Sequence, residues 1–161
     1  MREGALSAAL IASALALALA VAPGRGRWRF AVLFAVTTAG AAIVPWPAPW
    51  RDAVFAANWV AVAVAAVTVH TPSRLGRAAL IGLAIYAGVC AGAVIAIAGS
   101  RLDLIRSLPC VLLSGPAAWL TRRSGPIPAR VAASWLIAIA VLCAALPHLR
   151  VTPGYLPDHL D

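Results

Sequence analysis

Six apolar runs occupy nearly the whole of this chain: residues 6–22, 28–44, 53–69, 75–98, 102–120 and 129–146. They are 17 to 24 residues long, and a helix needs about 20 mostly apolar residues to cross the hydrocarbon core of a bilayer. Backbone N–H and C=O groups find no water there, so such a run must satisfy them internally, as a helix. Composition points the same way. Only 11% of the residues are charged and 63% are hydrophobic, whereas a soluble domain carries about 25% charged residues. A chain this poor in polar groups cannot cover a soluble surface. The expected fold is all-α: a polytopic transmembrane helix bundle of six spans.

The breaks between the runs carry helix-stopping residues. Pro23 and Gly24 end the first run, and Pro45, Pro47 and Pro49 end the second. Thr71 and Pro72, then Gly99 and Ser100, then Gly125, Pro126 and Pro128 follow. Proline lacks the N–H and clashes with the preceding turn. Connections this short make sequence neighbours antiparallel helix pairs. No break holds a folded domain, so the chain divides into a six-helix domain, 1–146, and a proline-rich extramembrane tail, 147–161. The fifth run contains Arg106, Pro109, Gly115 and Pro116, so it is expected to be kinked or broken. The first run has the look of a secretory signal, with Arg2 ahead of it and small residues before Pro23, but it is expected to persist as a span.

The arginines orient the bundle. All thirteen basic residues are Arg. With six spans and the N-terminus outside, the inner segments hold Arg25, Arg27, Arg29, Arg74, Arg77, Arg122, Arg123 and Arg130. The outer ones hold Arg2, Arg51, Arg101, Arg106 and Arg150, together with every acid: Glu3, Asp52, Asp103, Asp158 and Asp161. Eight Arg inside against five outside follows the positive-inside rule. Were the fifth run re-entrant, Arg122, Arg123 and Arg130 would change sides and reverse the asymmetry. Both termini are therefore expected on the outer, periplasmic side of a bacterial inner membrane. Trp46 and Trp50 then sit at outer helix ends, and Trp28 and Trp119 at inner ends, as an aromatic belt requires. The net charge of +8 is spread between apolar runs and not gathered in a basic block. That disfavours nucleic acid and favours phospholipid headgroups as its partner.

Polar groups at membrane depth are the first functional suspects. Arg106 and Asp103 are three residues apart and share a helix face. Asn58 lies inside the third run, below Arg51 and Asp52. These five could line an outward-facing polar pocket. Alternatively, Arg106 reaches to the interface, Asp103 pairs with it, and Asn58 makes one interhelical hydrogen bond. Gly88 and Gly92, with Gly82 upstream, have the small-residue spacing that lets helix backbones approach closely. That serves internal packing or a homo-oligomer interface. Cys90, Cys110 and Cys143 lie in apolar runs without metal-site spacing and read as small hydrophobes. His70 falls on the inner side and His148 on the outer, which argues against a bis-histidine haem. No cofactor and no metal are expected. The tail carries Tyr155, Asp158 and His159 among prolines, a composition suited to docking on a partner.

No nucleophile motif, zinc-protease motif or phosphate loop is present, so the chain is expected not to be an enzyme. Membrane lipids surround it, and a protein partner or further copies of itself are expected. The expected function is an accessory or assembly subunit of a larger membrane complex. The alternative is a small transporter or channel for a solute or lipid-linked molecule, working as a homo-oligomer.

Overall fold

A computed structural model describes residues 3–22, 26–71 and 76–146 of the chain. The described residues are helical almost throughout. The helices are α1 (Glu3–Val21), α2 (Arg27–Ala42), α3 (Arg51–Thr68), α4 (Arg77–Ala98), α5 (Arg101–Ser107), α6 (Ser114–Ser124) and α7 (Ile127–Ala145). A 3-10 turn, Ala48–Trp50, leads into α3, and a 3-10 segment, Leu108–Leu113, joins α5 to α6.

Among the described residues, four helical stretches are long and apolar enough to cross a membrane: Ala48–Thr68, Arg77–Ala98, Leu102–Ser124 and Ile127–Ala145. The apolar part of α1, Leu6–Val21, is shorter. α2 has 16 residues, about 24 Å at a rise of 1.5 Å per residue. The prolines from Pro45 onward end it there.

The fifth run is one helical rod. Its geometry tightens from α to 3-10 at Leu108, where Pro109 has no N–H to give, and returns to α at Ser114. The junction residues Ser107, Leu108, Leu113 and Ser114 all stay in the right-handed helical region. The reversal from α6 into α7 turns on Gly125, whose φ of 77° is open to glycine and strained for other residues.

α1 is the hub. Ala8, Ile11, Ala12, Ala14, Leu15, Ala18 and Leu19 are wholly enclosed along one face, while Ala9, Leu10, Ser13, Leu17 and Val21 on the other side are half-buried. A helix that is apolar all round belongs in an interior, and Ala at every turn lets neighbours close in. α3, α4, the 102–124 rod and α7 all pack on α1.

Two seams complete the bundle. α4 lies parallel to α2, as Gly88 faces Phe34 and Thr37 while Gly92 faces Thr38, Ala41 and Ala42. A Cβ on Gly88 would stand 2.8 Å from the Phe34 carbonyl oxygen, and one on Gly92 2.7 Å from the Ala41 Cβ. Neither position tolerates a side chain without moving a backbone. Gly82 stands outside this seam. It is exposed, with open space where its Cβ would be. α3 runs antiparallel to α4, with the Tyr86 hydroxyl donating to the Ala57 carbonyl at 3.1 Å. α3 is also antiparallel to α7, since His70 Nε2 meets Ser134 Oγ at 3.5 Å while residues 51–59 face residues 143–146 at the other end.

Candidate functional site: a groove at the Arg51–Asp52 end

The groove is built where α3 begins. Trp46 is pinned by its indole N–H, which donates to the Ala41 carbonyl at 2.9 Å. It packs tilted against Trp50, with ring centroids 6.4 Å apart. Pro49 lies inside the short 3-10 turn that follows, where a missing N–H costs nothing. α3 then starts at Arg51. Asp52, Phe55, Ala56 and Trp59 fall on one helical face by their three- and four-residue spacing.

That face, with Arg51, Ala53, Leu6 of α1 and Cys143, Ala144 and Leu146 of α7, lines a cavity of about 740 Å³. Ligand pockets commonly hold about 300–1,000 Å³. Its walls are mostly apolar, and it is partly open to the surroundings. Arg51 and Asp52 are both exposed at its mouth, and neither forms an ion pair or side-chain hydrogen bond with the described residues. One end of the groove can thus meet a charged group while the body receives an apolar one. Cys143 is a free thiol on its wall.

The other polar candidates lie elsewhere. Asn58 is on α3 but faces away from the groove into the bundle. It is fully enclosed, and neither its amide nitrogen nor its carbonyl oxygen has a partner. Leaving a buried polar group unpaired costs about 1–3 kcal/mol. Asp103 is buried at the start of α5, where its Oδ2 accepts from the Ser100 N–H at 2.7 Å and from the Ser100 hydroxyl at 3.1 Å. That is a helix cap, and caps of this kind contribute about 1 kcal/mol. Arg106 lies one turn on, its Nη1 3.9 Å from Asp103 Oδ1, with a side chain 74% exposed. An exposed pair at that distance adds little. So the five candidates occupy three separate places, and of them Arg51 and Asp52 line this groove.

Among the described residues no group of three His, Cys, Asp or Glu side chains comes together to hold a metal. Tyr155, Asp158 and His159 of the tail lie outside the described residues. The groove escaped the reading of the sequence because its walls are about 90 residues apart along the chain. The one usable signal was the Asp52, Phe55, Ala56, Trp59 spacing, an apolar stripe beginning on a charge.

No family model, curated protein or solved structure matches this chain.

Proposed function

We propose that this chain is a six-span protein of a bacterial inner membrane, with both termini outside, acting as a non-catalytic accessory or assembly subunit of a larger membrane complex. One observation carries the proposal: the helices are covered very unequally by their own chain. In α4, 61% of the apolar window is buried, against 22% in Ile127–Ala145 and 17% in Leu102–Ser124. The last two rods present Ile105, Leu112, Leu113, Ile127, Val131, Trp135, Val141 and Leu142 outward. An apolar surface this extensive faces lipid or another protein, and interhelical contacts in a membrane form through close packing of such faces. The cap at Asp103 and the loose Arg106 pair give two of the candidate functional residues structural work, which also favours an accessory role. The eight-to-five Arg asymmetry supports the orientation.

The groove favours a second reading, a small transporter or channel for a solute or lipid-linked molecule built from several copies. One epitope fused after Asp161 separates them. On intact spheroplasts it should bind antibody, since the tail is placed outside. Capture through it in mild detergent should bring down a second membrane protein in fixed proportion, and removing residues 147–161 from an internally tagged chain should release that partner. Recovery of this chain alone, in several copies, would replace the accessory reading with the second one.

A further inference from the structure

The end of the bundle away from the groove gathers cations. Arg27 and Arg29 open α2, and Arg122 and Arg123 close α6. No ion pair joins any of the four to an acid among the described residues. Asp52 and Asp103 begin α3 and α5 at the opposite end.

Arg27 is held in place. Its Nη2 donates to the Ala22 carbonyl, at the end of α1, at 3.3 Å. Its Nε is enclosed and has no partner. A buried guanidinium N–H without an acceptor is uncommon and needs a reason, such as a bound ion or water. Arg122 lies close to it. Burial first, and then the Arg122 charge, hold the Arg27 guanidinium below its ordinary pKa. Two like charges thus lie near one another, with an unpartnered donor on Arg27 and no ion pair to an acid among the described residues. Guanidinium groups present N–H donors in a planar fork that matches phosphate oxygens. On either side, the Arg29 guanidinium lies 5.8 Å from the Trp28 ring and that of Arg123 4.8 Å from the Trp119 ring. Both Trp side chains are well exposed, as residues at the headgroup level of a membrane are.

We propose that Arg27 and Arg122 together bind a phosphate oxyanion, the phosphodiester of an anionic membrane phospholipid, with the Arg29–Trp28 and Arg123–Trp119 pairs flanking its headgroup. Basic pockets between transmembrane helices are a recurrent way of holding such headgroups. The site goes beyond the accessory role and stands whether or not a protein partner is found.

The test is thermal unfolding of the purified full chain in neutral detergent, titrated separately with phosphatidylglycerol, phosphatidylcholine and inorganic phosphate. Phosphatidylglycerol should raise the melting temperature saturably and phosphatidylcholine should not. Arg122→Gln should weaken the apparent affinity about fivefold, the share of one Arg near a charged headgroup. Arg27→Gln should weaken it at least as much. Should Arg27→Gln fail to fold through loss of its Ala22 contact, the exposed Arg122 still decides the matter. Arg106→Gln, at the other end, should leave the affinity unchanged. Inorganic phosphate giving the same rise, lost in the same variants, would uphold the oxyanion site and assign it a soluble source. The proposal is overturned by equal responses to phosphatidylglycerol and phosphatidylcholine. It is overturned equally by a rise that survives Arg122→Gln, or by one that Arg106→Gln removes as fully.

Discussion

The α2–α4 seam and the α3–α7 seam are made from similar alphabets and are packed in opposite ways. Gly88 and Gly92 bring α4 so close to α2 that a methyl group at either would strike backbone. Across the other seam, Ala53, Ala56 and Ala144 are equally modest, yet a cavity of about 740 Å³ remains. The difference lies in which residues alternate with the small ones. On α2 the groups facing Gly88 and Gly92 are the Thr37 and Ala41 side chains and the backbone of Phe34, Thr38 and Ala42, and the Thr37 and Thr38 hydroxyls turn back to carbonyls of their own helix. Thr37 bonds the Leu33 and Phe34 carbonyls at 2.9 and 3.0 Å, and Thr38 the Phe34 carbonyl at 2.8 Å. A hydroxyl folded onto its own helix adds little bulk to the contact. On α3 the alternating residues are Phe55 and Trp59, whose rings line the cavity wall. The glycines close their seam because they meet short side chains and bare backbone, whereas the alanines of the other seam stand beside rings.

This contrast is most directly broken by placing the same side chain in both seams. Gly92→Leu and Gly88→Leu should each destabilise the bundle by about 1–3 kcal/mol or more, the range for overpacking a filled interior. Ala144→Leu, which points new methyl groups at the cavity, should stay within about 0.5 kcal/mol, as substitutions free of clash usually do. Unfolding of the three variants in one mild detergent reads the comparison. Equal losses would show that the groove is filled in solution, and the distinction between the seams would go with it.

Much of the tight seam was legible in the sequence, and little of the loose one was. Gly88 and Gly92 announce a close contact through their spacing, although nothing in the letters says whether the contact is internal or between copies, or that Gly82 takes no part. The helical class follows from the lengths of the apolar runs. The hub position of α1 does not. A helix apolar on every side has no face to orient, and its resemblance to a secretory signal points away from a central role. Asp103 and Arg106 were visible as a pair at three-residue spacing. The break at Gly99 and Ser100 was legible too, and Ser100 stands three residues before Asp103, the spacing of a capping box, but the carboxylate was read as a partner of Arg106 and not as the cap it forms. The Arg27–Arg122 meeting and the groove both join residues some 90 positions apart, and no local pattern encodes which distant helices become neighbours.

α3 carries a closely packed inner face beside its groove face, and Asn58 tests the inner one. The amide is enclosed and unpartnered, so Asn58→Leu, which removes two unsatisfied polar atoms at similar volume, should be neutral or stabilising by up to about 2 kcal/mol. The groove face of the same helix is unaffected, and the Ala144→Leu result should not change in that background, since sites without shared contacts add. A drop in melting temperature after Asn58→Leu would show the amide hydrogen-bonded in the folded protein, through an enclosed water or a shifted neighbour.

The smallest effect is expected at Gly82, and it sharpens the comparison from within α4 itself. Gly82 lies one and a half turns before Gly88 on the same helix, in a run of the same composition, but its Cβ position opens onto free space. Leucine there meets no backbone. It also recovers part of the roughly 1 kcal/mol by which glycine lowers helix propensity relative to the best helix formers. Gly82→Leu should therefore be neutral or slightly stabilising in detergent, against the clear loss at Gly92. A loss at Gly82 as large as at Gly92 in the isolated chain would mean that stability tracks glycine anywhere on α4, and the special status of the α2 contact would fall. A loss seen only while a captured partner remains bound would instead place that partner on the Gly82 face. The same substitution thus reads both the seam inside the bundle and the surface outside it.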